Sequence, residues 1–325
     1  MMLAYLLKRL LLCVPTFVGI TVITFAVINL APGDPALSGA SLAGDAAVTP
    51  QTYGMLREQF HLDAPLHQRY LHWLGDLVRL DLGRSFHDGR SVTGKIAERL
   101  LPTLGLTLSA IVLSLVISIP LGLWTASGAG GWLDRLVGVT CFGIYAVPPY
   151  VMAMLLTLVV GVQLEWLPFM GITSDSFDEM SAAGKVGDVV RHSLLIGLCF
   201  LYPLVAYQVR FVRANVLAVL GEDYIRTVRA KGAGELRVAY HALRNALLPL
   251  LTLMGVVFPA VLGGSVILEV MFSWPGMGRL LFDAIMQRDY PVVMGLAVMS
   301  AVVVLVGTLV VDLLYAVADP RVRYS

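Results

Sequence analysis

The residues able to do chemistry in this chain are few, and most gather between Glu222 and Pro249, in the run EDYIRTVRAKGAGELRVAYHALRNALLP. Glu222 and Asp223 lead, and Tyr224, Arg226, Thr227, Arg229, Ala230 and Lys231 follow. The three bases stand at helical spacing behind the acids, the charge order that a helix dipole favours. Gly232 and Gly234 predict the end of that helix, since glycine takes the left-handed conformation without steric cost. A second short helix is expected to run into Leu247–Leu248–Pro249, where an apolar span begins. Such a helix–break–helix holds charges on a rigid element, which suits docking a partner and passing motion to its neighbours.

Bond-breaking chemistry has no comparable constellation. The chain contains no GxxxxGK[ST] loop to cradle nucleotide phosphates. Gly94–Lys95 and Gly184–Lys185 lack both the spacing and the following Ser/Thr. No GxSxG elbow or HExxH pair is present. His61, His67 and His72 lie close together; a metal role is conceivable, and polar-face histidines are the plainer reading. Cys13, Cys141 and Cys199 all fall in apolar stretches, so they offer neither a disulfide framework nor a CxxC site.

The elements that must position the charged run are membrane helices. Of 325 residues, 58% are hydrophobic and 14% charged, with a mean hydropathy of +0.80, far from soluble averages. A net charge of +1 gives no sign of nucleic-acid binding. Six stretches are long enough to cross about 30 Å of hydrocarbon: 10–30, 103–126, 136–162, 193–212, 246–268 and 292–311. The first, flanked by Lys8–Arg9 and lacking an AxA-like site, reads as a retained anchor. Six spans put both termini, the 127–135 turn and the 213–245 loop on one side. Counting Arg210 with it, that side carries twice as many Lys/Arg as Asp/Glu, which places it in the cytoplasm.

Residues 31–101 form the large outer segment, with helix starts at Thr49–Pro50 and at Asp63/Pro65. Leu66, Tyr70, Trp73, Leu74 and Leu77 then share one helical face, the pattern of a helix on the membrane surface or on the protein's outer rim. Prolines recur within the spans, at Pro15, Pro120, Pro148–Pro149, Pro203 and Pro259. Pro259 followed by Gly263–Gly264 marks the fifth span as a candidate deformable gate; ordinary small-residue packing is the equal alternative. No Asp, Glu, Lys or Arg falls in the middle of any span, so the ionisable midplane site of an ion-driven secondary transporter is missing.

The run YIRTVRAKG followed by HALRNALLP resembles the cytoplasmic loop of ABC importer permeases, specifically the B-type subunit of dipeptide/oligopeptide/nickel systems. Aligned on Gly232, Arg226, Thr227 and Val228 stand where the general EAA motif has Glu-Ala-Ala. The resemblance extends through Leu82–Phe86, Ile96–Leu100, Ser265–Gly278, Arg288–Pro291, Asp312–Tyr315 and Asp319–Arg321, and covers about residues 1–323. It implies an all-α membrane protein of six transmembrane helices, the type I importer permease fold, with residues 1–93 as first helix and external loop, 94–317 as permease core and 318–325 as tail.

For function, the resemblance implies a permease subunit in a bacterial or archaeal inner membrane, carrying peptides or, alternatively, nickel chelates or glutathione. It implies a homologous second permease, two ATPases holding ATP and Mg, and an external solute-binding protein; this chain itself would bind no cofactor. Residues 222–232 would be the coupling helix that docks on the ATPase. Trp274, Pro275, Gly276, Met277 and Gly278, a glycine-punctuated outer turn, would contact the binding protein.

Overall fold

Long apolar runs without internal breakers give long helices, and a computed structural model shows where each begins and ends. It describes residues 2–30, 64–262 and 265–318. In order these form α1 (Met2–Leu30), α2 (Leu66–Val78), α3 (Val92–Ser127), α4 (Trp132–Tyr145) and α5 (Pro149–Leu156), the last continuing into a π-helical turn, Thr157–Gln163. Then come α6 (Ala182–Leu220), α7 (Asp223–Ala230), α8 (Glu235–Leu262), α9 (Val266–Met271), α10 (Met277–Met286) and α11 (Tyr290–Ala318). The expected helix starts at Thr49 and Asp63, the histidine at 61 and the glycines at 263 and 264 lie outside the described residues.

Four described helices are long and apolar enough to span a membrane: α1 over Arg9–Leu30, α3, α6, and α11 over Tyr290–Leu313. The bent pair α4–α5 makes a fifth if it is one span. The stretch 246–268, the remaining expected span, falls on α8 and on the undescribed positions 263–264, so the count of six is not reproduced.

Two expectations change. The span at 136–162 is not straight, because α4 and α5 meet at a bend of 91°. Pro148 and Pro149 cannot donate backbone bonds to the preceding turn, and beside the bend Tyr202 Oη donates to the Val147 carbonyl at 2.5 Å. Nor is there a separate short helix after Gly234. Residues 235–262 form one helix, so the second half of the charged run is the first part of the next span.

The chain divides into two compact units, Met1–Thr103 with Pro275–Leu305, and Leu104–Trp274 with Val306–Ser325. In the first unit α2 lies along α1. Phe25 packs on Tyr70 and Trp73, Thr21 and Tyr70 share a 3.0 Å hydrogen bond, and Arg69 donates to Asn29 at 2.6 Å. The amphipathic helix thus belongs to the protein's own rim. Val92, Ile96, Met277, Leu280, Val292 and Leu296 form a core, tight enough that a Cβ on Gly295 would sit 2.6 Å from Val92 Cγ1.

In the second unit α3 and α6 approach closely where small residues line α3. Ser114 and Ser118 are buried, and a Cβ on Gly122 would fall 2.7 Å from Val212 Cβ. Membrane helices lack a hydrophobic drive to associate and use such small-residue seams to bring backbones into van der Waals contact. Ile111, Ala126, Val212, Val216, Ala242, Ala246 and Leu250 extend the packing to α8.

Candidate functional site

The charged run builds its site from α7. Glu222 occupies the N-cap position with extended backbone and no side-chain cap bond; Asp223 lies in the first turn and Arg229 in the last. The expected stop is met, since Gly232 has φ +80. Its N–H donates to Arg229 O at 2.9 Å, and Ala233 N–H reaches back to Val228 O at 3.3 Å. This pair of bonds is a Schellman closure, which satisfies two carbonyls that a helix end otherwise leaves open.

Helical geometry then sorts the side chains. Asp223, Arg226, Thr227 and Ala230 share the outward face and are exposed, whereas Ile225, opposite, is fully buried. Arg226 and Arg229, three residues apart, are both exposed, Arg226 on the outward face and Arg229 at its edge. Arg226 pairs with Asp223 at 3.3 Å in an exposed contact, which is worth little, so its charge stays available. Arg229 flanks the helix and reaches Glu235 across the glycine break at 3.7 Å. Tyr224 accepts a hydrogen bond from Asn245, tying α7 to α8 beside the buried stripe Val238, Ala242, Ala246 and Leu250. The element is a short rigid helix, anchored by one apolar side chain and linked directly to the next span.

Of the gate candidates, Pro259 lies within α8, and Gly263 and Gly264 are outside the described residues. The turn 274–278 is mostly enclosed within the chain. Trp274 is buried among Leu106, Leu195, Phe200 and Phe272, and its N–H donates to Glu269 O at 2.8 Å. Gly276, Met277 and Gly278 are buried too, and Met277 N–H donates to Thr103 Oγ1 at 2.8 Å. Only Pro275 is partly exposed. The large apolar side chains of this turn close the fold, and any partner would meet mainly Pro275.

Several polar groups emerge that sequence reasoning passed over. Asp289, 1% exposed, accepts from Ser85 Oγ and from Phe86 N–H at 3.0 Å. Lys95 lies 4.0 Å from it and 2.9 Å from Asp88. Burial pushes the Asp88 carboxyl up, but its bonds with Lys95, the Arg90 amide and Ser85 outweigh this and bring it down to about 2. The segments around Ser85 and Asp289 both belong to the resemblance above, and here they bind each other. On the other unit, Arg213 grips Asp134 through Nε at 2.5 Å and a terminal nitrogen at 2.7 Å. Ser118 donates to Gln208 Oε1 at 2.9 Å, while the buried Nε2 of Gln208 has no partner. Among the described residues no group of three His, Cys, Asp or Glu could hold a metal.

Comparison with known proteins agrees with this architecture. Residues 118–324 match the family described as binding-protein-dependent transport system inner membrane component, and residues 2–107 match its N-terminal region. The chain is 39% identical over 325 residues to the oligopeptide transport system permease protein AppB of Bacillus subtilis, covering 99% of this chain and 100% of that protein. It is 37% identical over 342 residues to the dipeptide transport system permease protein DppB of Escherichia coli, with both chains covered completely. The glutathione transport system permease protein GsiC of Pectobacterium atrosepticum is 38% identical over 325 residues, again with full coverage. Matches of this length and extent show that the chain belongs to the binding-protein-dependent transport system inner membrane component family.

Proposed function

We propose that this chain is one permease of an ABC importer for peptides, and that α7 transmits the work of a separate ATPase into the membrane. The observation that carries the coupling role is the outward face Asp223–Arg226–Thr227–Ala230, held rigid by Ile225 and the Gly232 closure between two membrane helices. A docked ATPase that moves α7 would pull on α8 through Tyr224–Asn245. The spans would then shift between inward- and outward-open populations according to how differently each binds the ATPase and the solute-binding protein. ATP and Mg belong to two ATPase subunits, and a homologous second permease completes the pathway.

The excess of Lys/Arg on the α7 side supports placing α7 and both termini in the cytoplasm. Peptide as cargo is favoured by relatives named for oligopeptide and dipeptide transport. Glutathione, itself a small peptide, is the second reading, favoured by the relatives named for it. The outer turn at 274–278 is kept as a contact for the solute-binding protein, restricted to Pro275 and neighbouring backbone.

Co-purification tests the coupling role. Wild-type chain in the assembled importer retains the ATPases, and Arg226→Glu lowers retention and uptake at equal membrane abundance. Normal retention and uptake in that variant would remove α7 from the coupling path. The purified chain alone is expected to hydrolyse no ATP above background.

A further inference from the structure

Between α4 and α6 runs an open groove of about 960 Å³, lined by Arg135, Val139, Phe142 and Tyr145 on one side and by Tyr207 and Arg210 on the other. Its two ends differ in chemistry. At the end nearer α7 lie Arg135, Arg210 and the Asp134–Arg213 pair; further in, the walls are aromatic and aliphatic. Phe142, Tyr145 and Val139 are 64%, 52% and 71% exposed, so these large apolar groups are uncovered within the chain. The guanidinium of Arg210 stands over the Phe142 ring at 5.7 Å. Among the described residues neither Arg135 nor Arg210 is in a salt bridge, whereas Arg213 is held by both oxygens of Asp134.

We propose that this groove binds one anionic phospholipid, with the headgroup phosphate at Arg135 and Arg210 and an acyl chain along Val139, Phe142 and Tyr207. Three observations fix the occupant. Two cations at one end of an apolar groove call for an anion whose remainder is apolar, and basic pockets between membrane helices suit lipid headgroups. From Arg135 to Tyr145 a helix rises about 15 Å, which is half of a hydrocarbon core of about 30 Å; the groove has the depth of a single leaflet. A transported peptide fits less well, because its ammonium would need a carboxylate. The one acid in the groove, Asp134, is already saturated by Arg213 and by the Gly130 amide at 2.9 Å. The site is independent of the coupling role given to α7, and requires only that α4 and α6 lie in the membrane.

The test uses the assembled importer, reconstituted in nanodiscs of phosphatidylcholine with a minor share of phosphatidylglycerol and then re-extracted. Mass spectrometry counts the phosphatidylglycerol that stays with the complex. Each basic residue near an anionic headgroup contributes about fivefold in affinity, so Arg135→Gln with Arg210→Gln should lower retention by about 25-fold. Arg135→Lys with Arg210→Lys should restore most of it, and Arg226→Gln should leave it unchanged. In otherwise wild-type chain, a photo-reactive side chain at Val139 should cross-link to lipid. Undiminished phosphatidylglycerol in the double Gln variant overturns the proposal, as does a Val139 cross-link to the second permease or to added peptide.

Discussion

Ser85 and Asp289, 204 residues apart, are joined by a hydrogen bond inside the first unit. The bond fastens the loop before α3 to the start of α11, and the Phe86 amide shares the same carboxylate. Removing the acceptor from such a site leaves a buried hydroxyl, a part-buried amide and part of the Lys95 charge unmet. Asp289→Ala is therefore expected to destabilise the chain by about 2–4 kcal/mol, and Asp289→Asn, which keeps an acceptor, by less. Thermal unfolding of the detergent-solubilised chain reads both; equal melting temperatures for wild type and Asp289→Ala would mean that the link carries no stability.

The same network predicts a pH dependence. The Asp88 carboxyl lies at about 2, below the ordinary 3.8, so its ionised form is favoured by folding. A depressed carboxylate gives its full contribution above the unfolded value and loses it as pH falls through the folded one. The difference in melting temperature between wild type and Asp88→Asn should hold steady from pH 7 to about 4, then shrink towards pH 2. A difference that instead grows as pH falls would show that Lys95 does not stabilise the carboxylate.

The crossing of α3 and α6 gives a third expectation. Gly122→Ala would place a methyl 2.7 Å from Val212 Cβ and 2.9 Å from Val209 O. Backbone on one side cannot yield as a side-chain tip can, so overpacking should cost about 1–3 kcal/mol. Gly105→Ala, in the same helix with nothing within 4 Å, should be neutral or stabilising by up to about 1 kcal/mol. Similar melting temperatures for the two variants would mean the helices separate at no cost.

What was legible in the sequence follows the range of the interactions. The start of α7, its charge order and its stop at Gly232 depend on neighbours within a few residues, and all three are seen. The membrane spans rest on run length and hydropathy, and the described helices match four of the six expected, or five if the bent pair α4–α5 is one span. The bend at Pro148–Pro149 was visible only as prolines; neither its 91° nor the bond from Tyr202, 55 residues away, to Val147 leaves a local signal. The Ser85–Asp289 and Ser118–Gln208 bonds, 204 and 90 residues apart, leave no local periodicity to read. Arg226 and Arg229 were legible as helix-spaced bases, but the side of the helix that faces the protein depended on where Ile225 is buried. The inward seat of Trp274 was hidden for a related reason, since a turn motif fixes the backbone and not the side that the core claims.

The α7–α8 junction allows transmission to be separated from docking. Gly232 lies at φ +80, where a β-branched side chain is strained by about 1–2 kcal/mol or more. No atom lies within 4 Å of a Cβ placed there, so Gly232→Val acts through backbone conformation rather than collision. The Schellman bonds to Arg229 and Val228 should open and α7 should tilt against α8, lowering uptake several-fold while membrane abundance holds. Tyr224→Phe removes the acceptor for Asn245 and leaves Asp223, Arg226, Thr227 and Ala230 in place. It should keep the ATPases bound yet reduce uptake per ATP hydrolysed, whereas Arg226→Glu should lose the ATPases themselves. The measurement is a paired one, ATPase pull-down and uptake in the same membranes. If Tyr224→Phe and Gly232→Val both transport at the wild-type rate with ATPases bound, motion does not pass through this junction, and α7 serves for docking alone.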